Sequence, residues 1–172
     1  AYATQQPHDV IAQLNEKLAA GSTTLTFEPG SGYLRSVLNA LELPVDSQLA
    51  VFSKTSVQAR IISPVNPRTL FFNDRVVVGW PRGGFIEAAA LDPQLGVVFY
   101  NLNQQASASP RFERGNGCLT CHVSAEATLG VPGMLLRSEA ARADGLPMRQ
   151  LGNEVVDHSL PLSKRWGGWY VT

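Results

Sequence analysis

Apolar positions recur at helical spacing in two short stretches near the start of the chain. Residues 8 to 19, HDVIAQLNEKLA, place Val10, Ile11, Leu14 and Leu18 on one face, the recurrence of an amphipathic helix, and Gly21 marks its end. The stretch GYLRSVLNALEL repeats the pattern with Leu34, Val37, Leu38 and Leu41 and stops before Pro44. From residue 48 the period shortens to that of strands. QLAVFSK, QARIISP, RTLFFND, RVVVGWP, GFIEAAALD and GVVFYNLN are short and rich in Val, Ile and Phe. Turn signals separate them at Pro64, Asn66-Pro67, Asn73-Asp74, Pro81-Arg82-Gly83-Gly84 and Asp92-Pro93. Asn73-Asp74 and Gly83-Gly84 suit tight hairpins. The pattern predicts an antiparallel sheet of four to six strands.

Beyond residue 102 the periodicity fades. Residues 103 to 117, NQQASASPRFERGNG, are polar and read as a hinge between the sheet region and the last segment of the chain, either a flexible linker or a loop wrapping a bound group. The remainder is mostly irregular, without repeats or low-complexity tracts. The expected class is therefore α+β in one domain over 1–172: N-terminal helices over 1–47, a β-sheet region over 48–102, and a third segment over 103–172. That last segment ends on WGGWYVT, apolar and aromatic where free ends are usually polar. A longer precursor, a truncated product or a docked end would each account for it.

Composition narrows the chemistry. Fourteen basic and fourteen acidic residues cancel, so no charged field points to nucleic acid. No apolar run approaches the roughly 20 residues of a membrane helix. Ala1-Tyr2-Ala3 fits the small-x-small pattern beside a signal cleavage site, although an ordinary frayed terminus reads the same way. Both cysteines fall in one turn, GNGCLTCHVS, as Cys118-Leu-Thr-Cys121-His122. Three chemistries use Cys-x-x-Cys. A dithiol redox site needs a preceding strand and a lowered thiolate pKa, and here a Gly-rich polar loop precedes Cys118. Structural zinc wants four ligands, usually in paired knuckles, and there is no second cysteine pair. Covalent c-type haem needs two thiols on one face of a helical turn with a histidine beside them, and the motif supplies these as Cys118, Cys121 and His122.

The haem reading gives other residues a role. Gly115 and Gly117 let backbone approach a flat ring, Asn116 would cap the turn, and Arg111 and Arg114 could meet the propionates. His122 would hold the iron on one side. For the other side the candidates are His158, Met134, Met148 and His8. Asp157 is a possible partner for His158, and an open or externally filled site is the remaining option. Such haem is attached outside the cytoplasmic membrane, which places the protein in the periplasm or another extracytoplasmic space. Trp80, Trp166, Trp169, Tyr100 and Tyr170 are the large aromatics available to wall a haem or fill a core.

The blocks VFSKTSVQARIISPVNPRTLFFNDRVVVGW, AAALDPQLGVVFYNL, CLTCHVSAEATLGVPGMLLRS and VVDHSLPLSKRWGGWYVT resemble those of exported bacterial single-haem cytochrome c proteins. The resemblance spans residues 10 to 172 and implies one covalent haem and export. Family members continue past the last block into a region with further His and Met, so a family iron ligand can lie beyond Thr172. The segment TLGVPG also resembles the stretch of small cytochromes c in which a proline carbonyl, here that of Pro132, accepts a hydrogen bond from the ligand histidine. The expected function is electron transfer, to a partner protein or within a larger redox complex. A haem-based gas or redox sensor is the alternative, followed by a peroxidase-type enzyme, for which no distal His-Arg pair can be assigned.

Overall fold

The structure, a computed structural model, describes residues 2–125 and 128–165. Helix α1 spans Val10–Ala19. It starts where Asp9, extended and buried, accepts hydrogen bonds from Ile11 N (2.8 Å) and Ala12 N (3.1 Å), satisfying donors that a helix start leaves open. It ends at Gly21, whose φ of 67° is a conformation glycine adopts freely. Helix α2, Leu34–Ala40, buries Leu34, Val37 and Leu38.

Six strands come next in a meander: β1 Leu49–Val51, β2 Arg68–Phe72, β3 Val76–Pro81, β4 Ile86–Asp92, β5 Gly96–Leu102 and β6 Glu113–Arg114. Each pairs antiparallel with its successor. The broad expectation, α+β with an antiparallel sheet, is met. Five of the six expected strand stretches become strands, and both expected hairpin turns join neighbours. QARIISP does not become a strand. Residues 57–61 form turns, and the Gln58 side chain pairs with Phe85 as a strand would, donating to Phe85 O (3.0 Å) and accepting from Phe85 N (2.9 Å).

Register assigns the sheet two faces, since side chains alternate along a strand. One carries Phe71, Val76, Val78, Ile86, Ala88, Ala90, Val98, Tyr100 and Leu102, which join Ile11, Leu14, Val37 and Leu38 of the helices in the main core. The other carries Arg68, Leu70, Gly79, Glu87, Phe99 and Asn101, aligned across β2–β5 by the pairs Leu70↔Gly79, Gly79↔Glu87 and Glu87↔Asn101. Leu70, Val97 and Phe99 on this second face are buried as well.

The polar stretch after β5 is not a free linker. Phe112 enters the main core with 1% exposure. Its backbone is held at both ends by Asn15, whose Nδ2 donates to Phe112 O and whose Oδ1 accepts from Phe112 N, each at 2.9 Å. Past the motif, β7 (Arg137–Glu139) and β8 (Asn153–Val155) form a two-stranded sheet in what reads from sequence as irregular chain. Residues 166–172, which include Trp166, Trp169 and Tyr170, lie outside the described residues.

Candidate haem-attachment site

Cys118 lies beside the second sheet face, next to Gly115 and Asn101. A 3-10 turn over Asn116–Cys118 leads into a single helical turn, α3, at Leu119–His122. The expected helical turn at the motif is present, but Gly115 rather than Asn116 precedes it, and no side chain caps it. A Cβ on Gly115 would stand 3.2 Å from both Asn101 Nδ2 and Cys118 Sγ. Glycine thus lets the motif lie directly on β5. Cys118 is half-buried and Cys121 exposed.

His122 is fixed by two contacts. Its ring lies 4.6 Å from the Phe99 ring, centroid to centroid, at 44°. Its Nδ1 lies 2.9 Å from Gly133 O, and Gly133 N returns a bond to His122 O at 3.1 Å. A carbonyl only accepts, so Nδ1 carries the proton and Nε2 keeps a lone pair, the tautomer of a metal-bound histidine. Burial holds the imidazole below its ordinary basicity, partly offset by the Gly133 bond, and this favours the neutral form. The acceptor expected from sequence was Pro132. Its carbonyl instead takes Val97 N at 3.1 Å, because the chain from 131 to 133 runs along the edge of β5 and the next carbonyl faces the histidine.

Cys118 is the opposite of an activated thiol. Burial pushes its pKa up, and the Glu87 carboxylate adds to the rise. Dithiol chemistry wants the reverse. No group of three or more His, Cys, Asp or Glu side chains placed to hold a metal ion occurs among the described residues.

A haem needs an apolar seat and donors for its carboxylates. The sheet face leaves Phe72 and Leu91 exposed, and the segment after the motif leaves Leu129, Val131 and Met134 exposed. Arg68 Nε is a buried donor without a partner, on the same face as the motif, and a carboxylate would satisfy it. The residues present fit the group.

The other expected site residues are dispersed. Arg114 donates to Tyr2 O (2.7 Å) and Gln5 O (3.1 Å), and its guanidinium lies over the Tyr2 ring at 4.7 Å. It thereby ties down the N-terminal segment. Arg111 is exposed on the loop before β6. His158 is exposed, and its carbonyl accepts from Arg165 Nη2 at 3.1 Å. Asp157 caps its own turn, accepting from Ser159 N and Oγ and from Leu160 N. Met148 is half-buried and precedes the 3-10 turn Arg149–Leu151. His8 is exposed at the start of α1, its N–H donating to Asp92 Oδ2. Met134 comes directly after Gly133, so its backbone starts on the Nδ1 side of the His122 ring, away from Nε2.

Arg68 and Glu87 are the neighbours that sequence reading missed. A signal exists for Glu87, the only charge between Phe85 and Leu91. No protein-family model, curated protein or solved structure matches the chain. No helix among the described residues is long and apolar enough to cross a membrane.

Proposed function

We propose that the chain is a c-type cytochrome with one haem attached through Cys118 and Cys121, that His122 ligates its iron, and that it carries electrons outside the cytoplasmic membrane to a partner protein or within a larger redox complex. The observation that carries this reading is the His122 tautomer: Nδ1–H engaged by Gly133 O at 2.9 Å, Nε2 left as the donor to a metal. Haem supplies the one-electron chemistry when bound. The chain supplies two thiols for thioether bonds, a preset imidazole, an apolar surface and Arg68.

The test is production alongside a haem c maturation system, followed by denaturing electrophoresis with haem detection. The expected result is haem that stays with the wild-type chain and is diminished or lost in Cys118→Ala and Cys121→Ala. Retention of normal covalent haem by both variants would end the reading. His122→Ala is expected to change the visible spectrum even where thioethers form.

A second reading, a ligand-binding or sensor protein, is favoured by the Met134 backbone, which starts on the Nδ1 side of the His122 ring. If none of His158, Met134, Met148 and His8 supplies the sixth ligand, that position is open or filled from outside. Carbon monoxide added to the reduced protein separates the readings. An unchanged visible spectrum supports the electron carrier, and a clear shift supports the sensor.

A further inference from the structure

The second sheet face holds an ion pair where apolar side chains are the usual choice. Arg68 Nη1 lies 2.9 Å from Glu87 Oε2, with side-chain exposures of 14% and 16%. Burying charges costs desolvation that only good pairing offsets, so such a pair in mid-sheet needs a reason. The sheet is built to permit it. Arg68 is on β2 and Glu87 on β4, with Gly79 of β3 between them. A Cβ on Gly79 would stand 2.9 Å from Leu70 Cδ2 and 3.5 Å from Arg68 Cδ. The missing side chain therefore leaves a lane across β3 for the arginine. Glu87 is further held by Gln58 Nε2 at 3.0 Å and by the Ser56 hydroxyl. Three donors fix the carboxylate in one position.

The lane runs on to the motif. Glu87 stands directly opposite Asn101, and Asn101 lies against Gly115, beside Cys118 Sγ. Glu87, Asn101 and the Gly115 backbone beside Cys118 thus form a continuous row on one face of the sheet.

We propose that Arg68 and Glu87 form a fixed charge pair that sets the reduction potential of the group held at Cys118, Cys121 and His122, Glu87 lowering it and Arg68 raising it. This rests on the haem reading above. Oxidised iron carries one more positive charge than reduced iron. A nearby carboxylate therefore stabilises the oxidised state and a guanidinium destabilises it, more strongly in a poorly solvated site than in water. In the intact pair the two effects partly cancel, so each single substitution unmasks the other.

The experiment is a spectroscopic redox titration of the haem-loaded protein and its variants. Glu87→Gln is expected to raise the potential and Arg68→Gln to lower it, with Arg68→Gln/Glu87→Gln returning toward wild type. Arg68→Gln alone strands a buried carboxylate. Should it not fold, the comparison of Glu87→Gln with the double variant still decides, because adding Arg68→Gln must then lower the potential. Loosened packing that admits water would move both single variants in one direction. Shifts of the same sign, or no shift, overturn the proposal. A wild-type chain that takes up no haem is recognised earlier by its pyridine haemochrome spectrum. That outcome overturns the haem reading and this inference with it.

Discussion

Two side chains show how burial and backbone hydrogen bonds together set charge in this protein. For His122, burial is the larger influence and depresses the folded-state basicity below the ordinary value. A histidine depressed on folding resists protonation, so its stabilising contribution is complete above the unfolded pKa of about 6.5. It is lost as pH falls through that value toward the lower folded one. In the haem-free Cys118→Ala/Cys121→Ala protein, urea midpoints should therefore fall from pH 7 to pH 5. Adding His122→Gln should flatten that part of the curve, and an unaltered slope would show that the imidazole is not held neutral. Asp92 behaves in the opposite chemical sense. Burial pushes its pKa up, but the N–H groups of His8, Gln94 and Leu95 outweigh that and leave it lowered. Its contribution is present above the ordinary carboxylate range and disappears as pH falls through the depressed value. Asp92→Asn should lower stability at pH 7, with the gap to wild type closing in acid, as chemical denaturation at pH 7 and pH 3 would show.

Strands rich in Val, Ile and Phe were legible in the sequence because their composition suits a pleated, buried surface. Elements built by side-chain amides were not. Gln58 replaces a strand neighbour along Phe85, and Asn15 does the same along Phe112. An apolar run such as Ile61-Ile62 consequently looks like a strand, and a polar run around Phe112 looks like a linker. The motif was legible, since cysteine spacing is local. Its charged neighbours were not, because strand register alone brings Arg68 and Glu87 to it. Phe112 tests whether the polar loop is part of the core. Phe112→Ala should cost about 3–5 kcal/mol, read from urea unfolding, and a cost near zero would restore the linker reading. Gly145 tests the attachment of the β7–β8 sheet. Its φ is 85°, its carbonyl accepts Lys54 N at 2.7 Å, and a Cβ would stand 2.6 Å from Phe52 O. Gly145→Ala should therefore speed amide exchange across residues 137–155 while leaving β2–β5 protected. Uniform loss of protection would mean that the small sheet is integral to the main fold.

At the scale of the molecule, the main core and the motif are separate. Among the described residues the last core member in sequence is Phe112, and none of Cys118, Cys121 and His122 belongs to the core. Helices α1 and α2 and five paired strands, β1–β5, precede that point, and every connection within the six-stranded sheet joins sequence neighbours. The segment that carries the motif meets this scaffold at a few places: the Gly115 N–H bond to Phe99 O, the Pro132 bond to Val97 N, the His122 ring against Phe99, and the Lys54 N–H bond to Gly145 O. Stability should divide accordingly, since local opening energies track the density of buried contacts. Cys118→Ala/Cys121→Ala, which cannot form thioethers, should keep the far-UV circular dichroism of the sheet and unfold in one cooperative transition. Attached haem, which binds only the ordered form of the segment, should add exchange protection over residues 115–134 and little within β2–β5. A double variant without sheet signal, or haem-induced protection spread evenly over the chain, would show instead that cofactor and scaffold fold as one unit.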